Sequence, residues 1–227
     1  MTRALALSFA LLLPCLAAAQ ETIPTLPLTA RGNEPFWTVT LTTEALRLIE
    51  PDGKGSALDY PYSASASADG ITTYRTDSVA LRIDPALCRD DMTGMPHPFT
   101  ATLLRDGAEY PGCAGDPARL LAGTWQGTFL ATTPLPADSA VTLTFEAGQI
   151  SGQSGCNHFS GGYMLTGEGL TFTPLATTRM ACPASQMATE NAVLDALAHT
   201  ARFDIDSDGA LVLLDASDTP RLTAARP

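Results

Sequence analysis

Apolar and polar residues alternate one by one along most of this chain, which is the period of half-buried β-strands. The same period recurs in segment after segment, and no helical period interrupts it before Cys113. The pattern predicts about seven strands in this first half, in the segments 36–42, 45–50, 62–67, 71–76, 79–84, 99–104 and 108–113.

Short turn signals join several of these segments into hairpins. Asp69-Gly70 separates two alternating runs, and a dipeptide of this kind is a strong hairpin signal. In the second half, Ala147-Gly148 lies between VTLTFE and QISGQS, and the turn 167–169 lies between GGYML and LTF. We therefore expect antiparallel strand pairs at all three places.

One segment departs from the two-residue period. From 183 to 201, Met187, Leu194, Leu197 and Ala201 fall on one face of a helix, and Pro183 suits its first turn. A single helix among antiparallel strands favours an α+β domain. The fold predicted is β-rich with two domains: an all-β antiparallel domain over 30–114 and an α+β domain with one helix packed on a sheet over 120–226.

The first residues carry the features of an export signal. Residues 1–19 contain an early arginine, an apolar run and small residues before a cleavage site, and such a signal is removed on export. Segment 21–32 is interpreted as a short leader. Lipidation at Cys15 is the less favoured alternative because Pro14 precedes it. The apolar run is too short to span a bilayer, so the protein is predicted not to be membrane-spanning.

The charge balance excludes some partners. Thirteen Lys and Arg stand against 24 Asp and Glu, a net charge of −11. A chain this acidic is repelled by phosphate backbones and by anionic lipid surfaces, so nucleic acid is not an expected partner.

Four cysteines remain after the signal, and an exported protein with an even number of cysteines is expected to form disulfides. Three pairings are possible, and sequence order favours Cys88–Cys113 with Cys156–Cys182. The alternative, a metal centre, would need closely spaced cysteine pairs, which the chain does not contain.

Two segments resemble metal sites. Asp204, Asp206 and Asp208 precede Gly209 as in a calcium loop, but a strand-like segment follows where a second helix is needed, which favours a hairpin. Met92, Met95 and His97 are soft ligands that suit Cu(I); the alternative is a disulfide loop with methionines filling gaps.

The phrases GTW, SGCNHFSGGYMLTGEGLTF and TTRMAC, in this order, resemble the META domain or HslJ-like family of bacterial envelope proteins. That resemblance implies a compact α+β domain linked to envelope stress or heat shock, with no established catalytic activity. GNEPFW (32–37), CRDDMTGMPHP (88–98) and GCAG (112–115) are similar to an uncharacterised exported domain often fused to META domains.

These phrases also supply candidate binding residues. Asn157, His158 and Arg179 form a hypothetical exposed polar patch, whereas the structural alternative is a β-bend held by a disulfide. Asn33, Glu34 and Trp37 form a hypothetical recognition loop, whereas the alternative is a strand entry with Trp37 in the core.

No catalytic motif or cofactor fingerprint is present, so no enzyme activity and no cofactor are predicted. We expect a non-enzymatic, monomeric envelope protein that is periplasmic or secreted. Its expected function is to bind a protein or small ligand under envelope or heat stress. Two alternatives remain open: a copper- or calcium-binding protein, and an inhibitor of a secreted hydrolase such as lysozyme.

Overall fold

The computed structural model describes residues 24–49, 58–136 and 139–227. The predicted signal peptide (1–19) and its cleavage site lie outside these residues. Two large antiparallel sheets with barrel-like curvature make up most of the described chain, and one longer helix packs against the C-terminal sheet. The predicted fold class, β-rich with a single helix on the C-terminal sheet, is confirmed.

The first half forms a nine-stranded sheet in the order β4-β3-β2-β1-β11-β10-β7-β6-β5, with β8 and β9 paired separately. The strands are β1 Leu28–Asn33, β2 Phe36–Leu41, β3 Leu46–Ile49, β4 Leu58–Tyr60, β5 Ser63–Ala66, β6 Thr72–Arg75, β7 Val79–Asp84, β8 Cys88–Arg89, β9 Pro96–His97, β10 Phe99–Arg105 and β11 Ala108–Ala114.

The second half forms a ten-stranded sheet whose main path is β17-β16-β15-β14-β12-β21-β20-β19, with β13 beside β12 and β18 beside β16. Its elements are α1 Ala118–Leu121, β12 Gly123–Leu130, β13 Thr133–Pro134, β14 Val141–Glu146, β15 Gln149–Ser154, β16 His158–Leu165, β17 Leu170–Phe172, β18 Ala176–Thr177, α2 Ala184–Ala198, β19 Arg202–Ile205, β20 Leu211–Leu214 and β21 Pro220–Ala225. Neither helix in the described ranges has the length and apolar character that crossing a bilayer requires.

The predicted leader is wrong over its last residues. Leu28–Asn33 is strand β1, which lies inside the first sheet between β2 and β11. Leu28 and Ala30 alternate inward and are buried, while Arg31 is exposed. Small residues and a glycine weaken the apolar signal of this strand, so its pairing depends on its neighbours rather than on its own composition.

The three predicted hairpins are present as β5–β6, β14–β15 and β16–β17. The predicted helix is present as α2, but its buried face differs: Glu190, Val193, Ala196 and Leu197 are buried. Glu190 turns inward because it accepts hydrogen bonds from a buried bend, as described below. Hydrophobic period alone cannot predict a buried carboxylate.

Each sheet covers its own apolar cluster. In the first half, the Trp37 indole lies against Gly32 and Gly112; a Cβ at Gly32 would approach Trp37 Nε1 to 2.2 Å. The second cluster surrounds Trp125 and Phe145, and it includes Met95 from the first half. The core of the C-terminal half is therefore completed by a side chain from the N-terminal half.

Candidate functional site

A cleft of about 560 Å³ lies where the two halves meet. Residues from the phrases 32–37, 88–98 and 112–115 of the first half line it together with one hairpin of the second half. The lining residues are Arg31, Asn33, Phe36, Asp90, Met92, Thr93, Met95, His97, Cys113, Asp116, Pro117, Ala118, Leu165, Thr166 and Gly167. We name it the junction cleft. Its volume lies within the range of about 300–1,000 Å³ that is usual for ligand sites.

Asp90 shapes the loop on one side of the junction cleft. Its Oδ1 accepts hydrogen bonds from the Met92 N–H at 3.1 Å, and from the Thr93 N–H and hydroxyl at 2.9 Å each. The Asp90 N–H donates to the Met95 carbonyl at 2.9 Å, which closes the turn. The disulfide Cys88–Cys113 fixes this loop (88–98) to strand β11.

Asn33 connects the first phrase to the second. Its Nδ2 donates to Asp90 Oδ2 at 2.9 Å and also to Asp91 Oδ1. The Asn33 amide therefore binds two carboxylates of the loop, in addition to lining the cleft. Glu34 is exposed and Trp37 is buried. The three residues of the hypothetical recognition loop therefore have different surroundings: Asn33 contacts loop 88–98, Glu34 faces solvent and Trp37 belongs to the core.

The far side of the loop docks on the C-terminal half. Arg89 Nε lies 3.0 Å from both carboxylate oxygens of Asp204, and its Nη2 donates to the Ile205 carbonyl at 2.8 Å. Met95 is only 4% exposed and packs in the C-terminal cluster. One disulfide-closed loop thus lines the cleft and joins the halves.

Two large apolar side chains remain uncovered at the junction cleft. Phe36, the first residue of β2, is 50% exposed, and Met92, in the turn of loop 88–98, is 77% exposed. Exposed aromatic and methionine side chains beside a cavity are typical of binding surfaces.

The pKa of Asp90 shows how strongly the loop holds its carboxylate. Burial raises this pKa, but the hydrogen bonds from Asn33, Thr93 and Met92 lower it by more, so it lies below the ordinary value of 3.8. The charged form of Asp90 is therefore the form that stabilises the loop.

We expect Asp90→Asn to lower the free energy of unfolding by about 2 kcal/mol at neutral pH, because bonds to a charged acceptor are lost. A lowered folded pKa contributes stability above the unfolded pKa of about 4, and this contribution is lost as pH falls through the folded value. The difference between wild type and variant should therefore shrink in acid. Urea unfolding from pH 7 to pH 2 measures it, with Asp208→Asn as the control; a constant difference across that range would contradict the account.

The three side chains of the copper hypothesis line one cleft, but two of them make other contacts. Met92, Met95 and His97 all line the junction cleft, but Met95 faces the core and His97 Nδ1 lies 2.8 Å from the Gly115 carbonyl. Within the described ranges, no three His, Cys, Asp or Glu side chains group as metal ligands.

The acidic run 204–208 forms a hairpin between β19 and β20, as the sequence favours. Asp204 pairs with Arg89, and Asp206 accepts from the N–H groups of Asp208 and Ala210 at 2.9 and 2.8 Å. These carboxylates stabilise a turn and an interface.

The predicted patch around Asn157 is wrong in its central residue. Asn157 is 2% exposed: its N–H donates to Glu190 Oε2 at 2.8 Å, and its Oδ1 accepts from the Met180 N–H at 2.7 Å. His158 and Arg179 are exposed, so the patch loses its middle member. With the disulfide Cys156–Cys182, Asn157 ties the bend to α2, which is the structural alternative.

Sequence reasoning missed Arg31, Phe36 and Asp90. The spacing Asp-x-x-Thr in DDMT predicts the side-chain turn that Asp90 makes, and was the available signal. Arg31 carried no signal, because its strand was interpreted as a leader.

One family model and two solved structures are similar to parts of this chain. The META domain family model matches residues 118–227. An NMR structure of a protein from Burkholderia xenovorans is 29% identical, covering 48% of this chain and 86% of that chain, with a TM-score of 0.41. A second NMR structure is 26% identical, covering 48% and 94%, with a TM-score of 0.40. No curated protein matches. Residues 118–227, the C-terminal half of this chain, are therefore similar to the META domain family.

Proposed function

We propose that this is an exported, non-enzymatic binding protein of the cell envelope, and that the junction cleft binds an apolar group of its partner. The observation that carries the proposal is the convergence of three sequence phrases and a META-domain hairpin on one cavity of about 560 Å³.

The chemistry of the junction cleft supports binding more than catalysis. Phe36 and Met92 offer apolar surface, while the carboxylate of Asp90 is occupied by four hydrogen bonds and is held charged. A general acid or base needs a pKa close to the working pH, and the lowered pKa of Asp90 moves it away.

The sequence and the two disulfides support a cellular setting in the envelope. A META domain suggests a stress-related or envelope-associated module. The two disulfides are consistent with an extracytoplasmic protein, since thiols stay reduced in the cytosol. With the predicted signal peptide, we place the protein in the periplasm or outside the cell.

Selection of a random peptide library on the intact, disulfide-bonded protein tests this proposal. We expect the selected peptides to carry large apolar side chains, and to lose at least tenfold in affinity for the double variant Phe36→Ser/Met92→Ser. Met164→Ser is the matched control, because Met164 is 64% exposed but does not line the cleft. Peptides that bind the double variant as tightly as wild type would overturn the proposal.

Copper binding is a second candidate, favoured by the presence of Met92, Met95 and His97 around one cleft. Titration with Cu(I), followed by thermal unfolding, decides it. A rise in Tm that Met92→Ser abolishes would support a copper site, and an unchanged Tm would dismiss it.

A further inference from the structure

Arg31 occupies a central position around the junction cleft. It lines the cleft itself and two adjoining cavities of about 350 and 180 Å³. Cys113 is the other residue common to all three, so the cavities meet around β1 and β11. A ligand in any of them would lie close to Arg31.

The charge of Arg31 is not neutralised within the described chain. Its exposed side chain makes no hydrogen bond or ion pair with the residues that the structure describes, whereas Arg89 pairs with Asp204. In a chain with a net charge of −11, an arginine that lines a cavity without an ion pair among the described residues is unexpected. The carboxylates that share its cavities accept hydrogen bonds from other groups: Asp90 and Asp91 from Asn33, and Asp116 from the Ala118 N–H. A guanidinium presents paired donors that match a carboxylate.

The cavity of about 350 Å³ extends this basic character. Arg119 and His97 line it together with Arg31. Arg119 is held by Thr25 Oγ1 at 2.9 Å and by the Phe99 ring at 5.7 Å, so its charge stays available. Asp116 is the acidic side chain in this lining, and its Oδ1 already accepts from the Ala118 N–H at 2.9 Å.

We propose that the partner is the carboxyl-terminal end of a peptide, with an apolar side chain against Phe36 and Met92 and its terminal carboxylate on Arg31. This inference rests on the proposed function and names the chemistry that the same site recognises. The apolar side chain and the carboxylate of such a peptide are close together. In the same way, the apolar side chains of the junction cleft adjoin the basic side chains of the cavity of about 350 Å³.

The polar part of the lining favours a peptide over a fatty acid. Asn33, Thr93 and Thr166 lie among the apolar side chains of the junction cleft. The oxygen atoms of these side chains can accept hydrogen bonds from the main-chain amides of a peptide, whereas an alkyl chain offers no donor.

Fluorescence anisotropy with labelled tetrapeptides tests the proposal. The peptides end in Leu, Phe or Ala, and each is made as the free acid and as the amide. We expect the Leu and Phe acids to bind at least tenfold more tightly than their amides, and Arg31→Gln to abolish that difference. Arg75→Gln is the matched control, because Arg75 is an exposed strand arginine outside the three cavities.

The outcomes separate this inference from the proposed function. If acids and amides bind equally, and Phe36→Ser/Met92→Ser weakens both, the apolar site stands and the carboxylate inference is overturned. If no tetrapeptide binds and the library selection also fails, both fall. If decanoate binds through Arg31 while the peptide acids do not, the ligand is a fatty acid and the peptide proposal is overturned.

Discussion

Replacing Met95 by alanine is expected to lower the free energy of unfolding by about 2–5 kcal/mol, the usual cost of truncating a buried methionine. The reason is particular to this chain. Met95 belongs to the disulfide loop of the first half, yet it is 4% exposed and packs in the apolar cluster of the C-terminal half. The variant should therefore open a cavity in the core of the C-terminal half, although Met95 lies in the N-terminal half of the sequence.

Hydrogen exchange measures where that loss occurs. We expect Met95→Ala to speed exchange in the strands of the C-terminal half as well as in the loop, because the two share one packed contact. Met92→Ala is the control from the same loop; at 77% exposure it should change stability by no more than about 0.5 kcal/mol. Equal effects of the two variants, or faster exchange in the loop alone, would show that Met95 does not complete the second core.

The second large effect is expected from the disulfides. Cys88–Cys113 and Cys156–Cys182 span 25 and 26 residues. The chain-entropy relation gives about 3.5 kcal/mol for each, so Cys88→Ser/Cys113→Ser and Cys156→Ser/Cys182→Ser should lose nearly equal stability. Urea unfolding of the two double variants measures this.

Binding should distinguish the two variants where stability does not. The first disulfide holds the loop that lines the junction cleft, whereas the second holds the bend at Asn157 against α2. Under conditions where both variants are folded, only Cys88→Ser/Cys113→Ser should lose affinity for the selected peptides. Equal loss of affinity in both, or in neither, would contradict the role given to the loop.

The elements of this fold were largely predictable from local patterns. Strict alternation predicts strands such as β2 and β7, and dipeptides such as Asp69-Gly70 predict hairpins, because both signals arise within a few residues. Strand β1 was missed since its small residues become a strand only between two partners. The inward turn of Glu190 was missed because its partner Asn157 lies 33 residues earlier.

The candidate site was predictable only in parts. The phrase GNEPFW indicates Asn33, and the soft-ligand chemistry of one segment indicates Met92, Met95 and His97; the structure brings all four to one cleft. Their convergence was not predictable, because the contact between Asn33 and Asp90 spans 57 residues. Arg89 and Asp204 are 115 residues apart, so the docking of the loop on the C-terminal half leaves no local signal.

Photo-crosslinking tests the central claim, that the junction of the two halves is the binding surface, most directly. A selected peptide carrying a photoreactive leucine is cross-linked to the intact protein, and mass spectrometry locates the attachment sites. We expect cross-links within 31–36, 90–97 and 165–167, and we expect excess unlabelled peptide to remove them. Cross-links confined to the exposed face around His158 and Arg179 would contradict it.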